Sequence, residues 1–174
     1  MENKLTNYPL AYLITFTTYG IWLHGNESGS IWKDKKDSGT ILIESNQKLE
    51  KSESNRLKNG PFTINAKQRQ CVLEAILQVS RFREWIAYAV HVRSNHVHSV
   101  VAAKVKPEKI MTDFKAYATR ALRKNSGGIL PERIWTRHGS TRYLWDKKQL
   151  SDSIGYVREQ QGEMMAFGQR IIEG

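Results

Sequence analysis

Apolar and polar residues alternate along residues 10–18 (LAYLITFTT), a stretch that is also rich in β-branched and aromatic side chains. Alternation with a period of two is typical of a strand with one face on a core, so we predict the first strand here. Residues 85–92 and 96–103 are two further β-like runs, separated only by the polar tripeptide RSN. A connector this short predicts an antiparallel hairpin.

Other stretches repeat their apolar residues at the spacing of a helix. Residues 66–83 place apolar side chains three and four positions apart, with Asn65 as the predicted N-cap. Residues 108–124 follow Pro107 and combine an apolar face with a strongly basic one. A last helix is predicted from residue 148 to about residue 165.

The remaining segments complete a single predicted domain over residues 1–174. Residues 20–62 are rich in Gly, Ser, Asn and Lys, which indicates a long loop or insertion. Residues 133–146 carry two short aromatic runs around HGS, which predicts another hairpin. The element order predicts an α+β fold, a two-layer sandwich with helices packed on one face of a ferredoxin-like or RRM-like antiparallel sheet.

Charge gives the first indication of a partner, because 27 Lys and Arg residues against 17 Asp and Glu residues leave a net charge of +10. Such a chain attracts polyanions such as nucleic acid, although ribosomal and other soluble proteins share this balance. Cys71 is the single cysteine, so no intramolecular disulfide can form. No apolar run approaches the roughly 18 residues of a membrane span, and the first residues do not resemble a secretion signal. We therefore expect a cytoplasmic, nucleoid-associated protein.

The most informative chemical pattern is His96-Val97-His98, in the second strand of the predicted hairpin. Side chains at positions i and i+2 of a strand emerge on the same face, so both imidazoles can reach one ion. Two imidazole nitrogens can hold Mg²⁺, Mn²⁺ or a transition metal, but a third protein ligand and substrate oxygens are then needed. The alternative is that the two histidines lie on a solvated strand face and bind nothing.

The surrounding tract, AYAVHVRSNHVHSVVAA, resembles the two-histidine motif of the IS200-like and repeat-associated (REP) tyrosine transposases of the HUH superfamily. Asn95 stands directly before the first histidine, as it does in that family. Arg93 and Ser94 depart from the family pattern, in which a proline usually precedes the asparagine. The resemblance extends to the first strand, the helix after Pro107, the aromatic hairpin and the last helix, and it leaves residues 20–62 unmatched.

A second tract, SDSIGYVREQQGE, lies in the predicted last helix. The resemblance implies that Tyr156 is the nucleophile and that Gln160, one helical turn later, is the third metal ligand. Gln161 and Glu163 remain rival ligands. Without the histidine pair, Tyr156 would be an ordinary core or interfacial aromatic residue of a helix. Gly155 either lets DNA approach closely or weakens the helix locally.

The resemblance implies a transposase-like, metal-dependent endonuclease and strand transferase that acts on single-stranded DNA, with hairpin or repeat ends as targets. Attack by the tyrosine would leave a 5′-phosphotyrosine and a free 3′-hydroxyl, with one divalent ion, Mg²⁺ or Mn²⁺, at the scissile phosphate. The chain contains neither GxxxxGK[ST] nor GxGxxG, which agrees with chemistry that needs no nucleotide cofactor. Relatives build the site within one chain or exchange the tyrosine helix in a homodimer, and the sequence leaves both arrangements open.

Substrate contacts are expected from the basic helix and from the aromatic segment that follows it. The basic residues predicted to bind DNA are Lys115, Arg120, Arg123, Lys124, Arg137 and Arg142. Bases can stack on Trp135, Tyr143 and Trp145, although these rings also suit a core. At any one position, a simply solvated charge is an equally good interpretation.

Two further functions remain open. One is a domesticated DNA-binding protein that keeps the fold but no longer cleaves, although His96, His98, Tyr156 and Gln160 are all present. The other is an RRM-like RNA-binding module. That module would need aromatic residues in the RNP pattern on the strands where this chain has two histidines.

Overall fold

The computed structural model describes residues 8–20, 30–33, 40–43, 61–127, 130–159 and 162–168. Its strands are β1 (Ala11–Thr17), β2 (Ser30–Lys33), β3 (Thr40–Ile43), β4 (Ile86–Val92), β5 (His96–Ala102), β6 (Ser140–Leu144) and β7 (Ala166–Gly168). Five of them form one antiparallel sheet in the order β6-β1-β5-β4-β7. The strands β2 and β3 pair with each other within the predicted insertion, most of which lies outside the described residues.

The described residues also contain three helices, α1 (Ala66–Phe82), α2 (Pro107–Asn125) and α3 (Lys147–Glu159). The predicted N-cap of α1 is confirmed, because the Asn65 side chain accepts from the Gln68 backbone N–H and the Gln68 side chain accepts from the Asn65 backbone N–H. At the start of α3, the Asp146 carboxylate accepts from the backbone N–H of Gln149 at 2.8 Å. These side chains satisfy N–H groups that a helix leaves without internal partners. None of the described helices is long and apolar enough to cross a membrane.

The predicted hairpin of β4 and β5 is confirmed, with His91 opposite His98 and Val92 opposite Val97. The second predicted hairpin is wrong, because β6 pairs with β1 instead and Trp135 makes an isolated bridge to Thr18. The first reason is that the backbone edge of β1 that does not pair with β5 is available to β6. The second is that the ring of Trp135 packs edge-on against that of Phe16, with their centroids 5.1 Å apart. This pairing places β6 at one edge of the sheet.

The last helix is shorter than predicted. It ends at Glu159, and the chain returns to the sheet as β7, which pairs with β4. Between them, Gly162 has a φ of 72°, in the left-handed region that glycine adopts most readily. The left-handed backbone of Gly162 is therefore the physical reason that the helix does not extend to residue 165.

The predicted α+β class and its antiparallel sheet are confirmed, and alternation along the strands decides what covers each face. One face packs against α1 and α2 in a large core, to which β1 and β5 contribute Tyr12, Ile14, Phe16, Val97 and Val101. The other face packs against α3 in a smaller cluster formed by Ala11, Ala89, Val100, Leu144 and Val157. The expectation of helices on one face therefore holds for α1 and α2, whereas α3 crosses the opposite face.

The large core is expected to provide most of the stability of the fold, and a substitution of Phe114 tests this expectation. Its side chain is fully buried, with its ring 6.0 Å from that of Trp85. Replacing Phe114 with alanine removes a large apolar group and leaves a cavity, so we expect Phe114→Ala to lower the free energy of unfolding by about 3–5 kcal/mol. Urea denaturation measures this change.

The matched control is Phe82→Ala, because the Phe82 side chain is 69% exposed. We expect its effect to stay within about 0.5 kcal/mol. Equal losses in the two variants would contradict the assignment of the core.

Candidate functional site

His96 and His98 lie side by side on the face of the sheet that α3 crosses. Their ring centroids are 4.7 Å apart, and Val97 between them is buried in the large core on the opposite face. The i, i+2 spacing on β5 therefore places both imidazoles on one face, as the strand geometry predicts. His98 is 8% exposed and His96 is half-buried, so they do not form an open, fully solvated strand face.

Hydrogen bonds at Nδ1 orient both imidazole rings. The Nδ1 of His98 shares a hydrogen bond of 2.7 Å with Oγ1 of Thr15, its cross-strand partner on β1. The Nδ1 of His96 donates to Oδ1 of Asn95 at 2.6 Å. Metal-binding histidines usually engage one ring nitrogen in this way and ligate through the other. The arrangement therefore fits ligation of a metal ion by Nε2 of each ring.

Tyr156 reaches this pair from α3. Its ring centroid is 5.7 Å from that of His98, and its side chain is 38% exposed. The next residue, Val157, is fully buried and anchors the helix on the sheet. Tyr156 is thus not a core residue, and one chain brings the histidine pair and the tyrosine together.

The structure does not test the predicted third metal ligand. Gln160 and its rival Gln161 lie outside the described residues, so their roles stay predictions. Glu163 is described and exposed, and its backbone carbonyl accepts from Nη1 of Arg93 at 2.9 Å. In the part of the chain that the structure describes, no group of three or more His, Cys, Asp or Glu side chains is placed to hold a metal ion. Two imidazoles and an amide oxygen remain a donor set that a divalent ion accepts.

His91 is a residue of this site that sequence reasoning missed. It lies on β4 directly opposite His98 and is fully buried. Its Nδ1 donates to the backbone carbonyl of Val157 at 3.2 Å, and its Nε2 accepts from the backbone N–H of Met165 at 3.0 Å. Burial lowers the pKa of His91 below its ordinary value, which favours the neutral ring that these two bonds require. Its tract shows an ordinary strand, with no signal that marks this histidine.

The predicted DNA-binding residues divide into different environments. A groove of about 830 Å³ between α2 and residues 137–141 is lined in part by Lys115, Arg120 and Arg137. Arg123 and Lys124 are exposed near the end of α2. Arg142 is exposed on β6 opposite Leu13, on the face of the sheet that α3 crosses. The structure therefore does not unite the six residues in one surface.

The ammonium group of Lys115 makes its hydrogen bonds within the fold. It donates to the backbone carbonyls of Thr136, Arg137 and His138 at 2.8, 3.3 and 3.1 Å. Burial lowers the pKa of Lys115 to about 8, which leaves most of it protonated at neutral pH. Three donors thus meet three carbonyls, and the side chain holds the segment before β6 against α2.

The aromatic residues also separate into core and surface. Trp135 is buried and donates from Nε1 to Oγ1 of Thr119 at 3.1 Å, so its ring belongs to the core. Tyr143 and Trp145 are 43% and 57% exposed, and their rings stack with a centroid distance of 6.1 Å. Only the latter two present rings on which a base can stack.

The family model of IS200-like transposases matches residues 56–162, which is more than half of the chain. The chain belongs to this family of transposases. Among solved structures, it is similar to a REP-associated tyrosine transposase bound to a REP hairpin, at 13% sequence identity and a TM-score of 0.48. That match covers 90% of this chain and 69% of the other. No curated protein sequence matches the chain.

Gly155, next to Tyr156, allows a test of whether a glycine at this position lowers the stability of α3. A Cβ atom at Gly155 would meet nothing within 4 Å, and the residue lies inside the helix. We expect Gly155→Ala to raise the free energy of unfolding by about 0.5–1 kcal/mol, because alanine loses less backbone entropy in a helix. Chemical denaturation provides the measurement.

Gly139→Ala is the control with the opposite expected sign. A Cβ there would clash with the backbone carbonyl of Thr15 and lie 2.8 Å from Sδ of Met111. A Gly155→Ala variant that unfolds as easily as Gly139→Ala would show that α3 cannot accept a side chain at that position.

Proposed function

We propose that this protein is a metal-dependent endonuclease and strand transferase of single-stranded DNA, with Tyr156 as its nucleophile. The observation that carries the proposal is the contact between the rings of His98 and Tyr156, with the His96 ring 4.7 Å from that of His98. A strand and a helix distant in sequence bring these groups together in one chain. Membership of a transposase family supports the same chemistry.

The reaction follows from the phenol of Tyr156. Its Oη attacks the phosphorus of a DNA phosphodiester, a Tyr–O–P bond forms, and the P–O3′ bond breaks. The phenolic proton passes to solvent, and the departing 3′ oxygen takes up a proton to become a free hydroxyl. The product is a 5′-phosphotyrosine, and attack by a 3′-hydroxyl reverses the step and joins the strands. No nucleotide cofactor is consumed.

The histidine pair would hold one divalent ion, Mg²⁺ or Mn²⁺, through Nε2 of each ring, with Gln160 as the predicted third ligand. When bound, such an ion polarises the oxygens of the scissile phosphate and stabilises the charge that develops on them. Thr15 and Asn95 keep the two rings oriented. Mg²⁺ and Mn²⁺ prefer oxygen ligands, and the oxygens of the substrate phosphate would supply further ligands of that kind.

The substrate is proposed from charge and shape. The net charge of +10 favours a polyanion, and the groove beside Arg120 and Arg137 presents guanidinium groups next to the segment that leads into β6. The stacked rings of Tyr143 and Trp145 at the sheet edge suit unpaired bases. We therefore propose single-stranded DNA as the substrate, with the hairpin or repeat ends that the family resemblance implies.

Tyr156→Phe tests the nucleophile. We expect wild-type protein with Mg²⁺ or Mn²⁺ to form a covalent adduct with labelled single-stranded DNA from the flanks of its gene. Because phenylalanine lacks the attacking oxygen, Tyr156→Phe should form none, and a chelator should abolish the wild-type adduct. Denaturing gel electrophoresis detects the adduct.

The matched control is Tyr8→Phe, since Tyr8 is 44% exposed and precedes β1, whereas the histidines pair with Thr15 and Thr17 at the other end of that strand. It should keep the wild-type yield. Tight DNA binding without any adduct in wild-type protein would favour a domesticated binding protein. Preferential binding of RNA, again without an adduct, would favour the RRM-like alternative.

Removal of the histidine pair tests the metal site independently of cleavage. We expect His96→Ala and His98→Ala each to weaken Mn²⁺ binding by at least about 10-fold, because each variant loses a direct ligand. Isothermal titration with Mn²⁺ measures the affinity. His138→Ala is the control, since His138 is exposed on the segment before β6. Equal Mn²⁺ affinities in all four proteins would exclude the pair as the metal site.

A further inference from the structure

The helix that carries Tyr156 buries few side chains fully, although Leu150 and Ile154 pack half-buried against the smaller apolar cluster. Of the 13 residues of α3, the structure buries Ser153 and Val157, whereas α1 buries six of its 17 residues. Since burial of apolar surface is the main force that holds a helix on a sheet, α3 depends more than α1 on specific polar contacts. Two of these contacts come from His91.

Both ring nitrogens of His91 bond to the backbone of the tyrosine segment. Val157 lies in the last turn of α3, where carbonyl groups have no partner within the helix. The Nδ1–H of His91 supplies that partner at 3.2 Å. On the far side of the helix end, the N–H of Met165 donates to Nε2 at 3.0 Å. One imidazole therefore joins the end of α3 to the strand that follows it.

The returning chain reinforces this connection. β7 pairs with β4, with Phe167 opposite His91 and its ring edge-on to the imidazole at 5.9 Å. Arg93, at the end of β4, donates from Nη1 to the carbonyl of Glu163. Together, these contacts fasten the chain on either side of the helix end to a single strand.

We propose that His91 is a positioning residue that fixes Tyr156 over the His96–His98 pair of its own chain. His91 and His98 are cross-strand neighbours, so the β4–β5 pair orients the metal-binding ring and the nucleophile together. Val157, whose carbonyl His91 holds, directly follows Tyr156. The inference rests on the proposed function, because the position of Tyr156 affects a reaction rate only if Tyr156 is the nucleophile.

Two nearly isosteric substitutions separate positioning from simple core packing. His91→Leu fills the space but leaves the Val157 carbonyl and the Met165 N–H without their partner. His91→Gln retains a donor and an acceptor. Ser80→Ala is the matched control. Ser80 is buried, and its hydroxyl donates to the backbone carbonyl of Ile76 at 2.8 Å within α1, on the opposite face of the sheet from α3.

The first readout is the single-turnover rate of adduct formation, measured beside the affinity for single-stranded DNA. We expect His91→Leu to slow adduct formation on the order of 10- to 100-fold, because small misplacements of a nucleophile have effects of this size. DNA affinity should stay within about twofold, since the binding surface is unaltered. His91→Gln should recover most of the rate, and Ser80→Ala should keep it.

The second readout, amide hydrogen exchange, needs no catalysis. His91→Leu should raise exchange in residues 150–159 and 162–168 and leave α1 unchanged. Arg93→Ala, which releases only the Glu163 carbonyl, should raise exchange in residues 162–168 alone. If wild-type protein forms no adduct, the proposed function fails, and exchange still reports whether His91 holds the helix.

Three results would overturn the inference. They are a wild-type adduct rate in His91→Leu, an equal loss of rate in Leu and Gln variants, and an unchanged exchange pattern in His91→Leu. If His91→Leu does not fold, His91→Gln is compared with Ser80→Ala. We expect His91→Gln to keep nearly the adduct rate and the exchange pattern of Ser80→Ala, and a large loss in His91→Gln would overturn the inference.

A mixing experiment tests the statement that the tyrosine serves its own chain. Tyr156→Phe and His98→Ala are each expected to be inactive, and each supplies what the other lacks. With His91 intact in both, a mixture should form no more adduct than either variant alone. Recovery of the adduct on mixing would show that α3 exchanges between chains and would overturn the fixed position.

Discussion

The register between β1 and β5 is the constraint on which the rest of the structure depends. β5 lies in the middle of the sheet with both faces covered, so its alternation separates the large core from the candidate site. Val97 and Val101 face α1 and α2, whereas His96 and His98 face α3. A shift of one residue would place the histidines in the large core and the valines on the α3 face, at a large cost in free energy. Stability of the core and geometry of the site are therefore set by the same pairing.

The two faces of the sheet are held by different forces. On the α1 and α2 side, a continuous apolar core includes fully buried Phe16 and Phe114. On the α3 side, the apolar cluster is smaller and polar bonds from His91 and Arg93 add to it. The lightly packed helix leaves Tyr156 38% exposed, while directed hydrogen bonds from His91 and Arg93 hold the backbone on either side of the helix end.

The positive charge of the chain serves more than one purpose. Lys115 belongs to the predicted basic face of its helix, yet its ammonium group holds three consecutive carbonyls before β6. Arg120 packs over the ring of Tyr117 at 4.3 Å and still lines the groove beside Arg137. A basic composition thus indicates an anionic partner for the whole chain, but it does not identify which cation meets that partner.

The sequence by itself determined the features that depend on neighbours along the chain. The strands β1, β4 and β5, the N-cap at Asn65, and the shared face of His96 and His98 follow from the local sequence pattern and were predicted from it. Only the tertiary structure decided that β6 pairs with β1, that Trp135 belongs to the core, and that His91 joins β4 to α3. His91 and Val157 are 66 positions apart. Contacts over such separations depend on how whole elements pack, and the pattern of a short window carries no record of them.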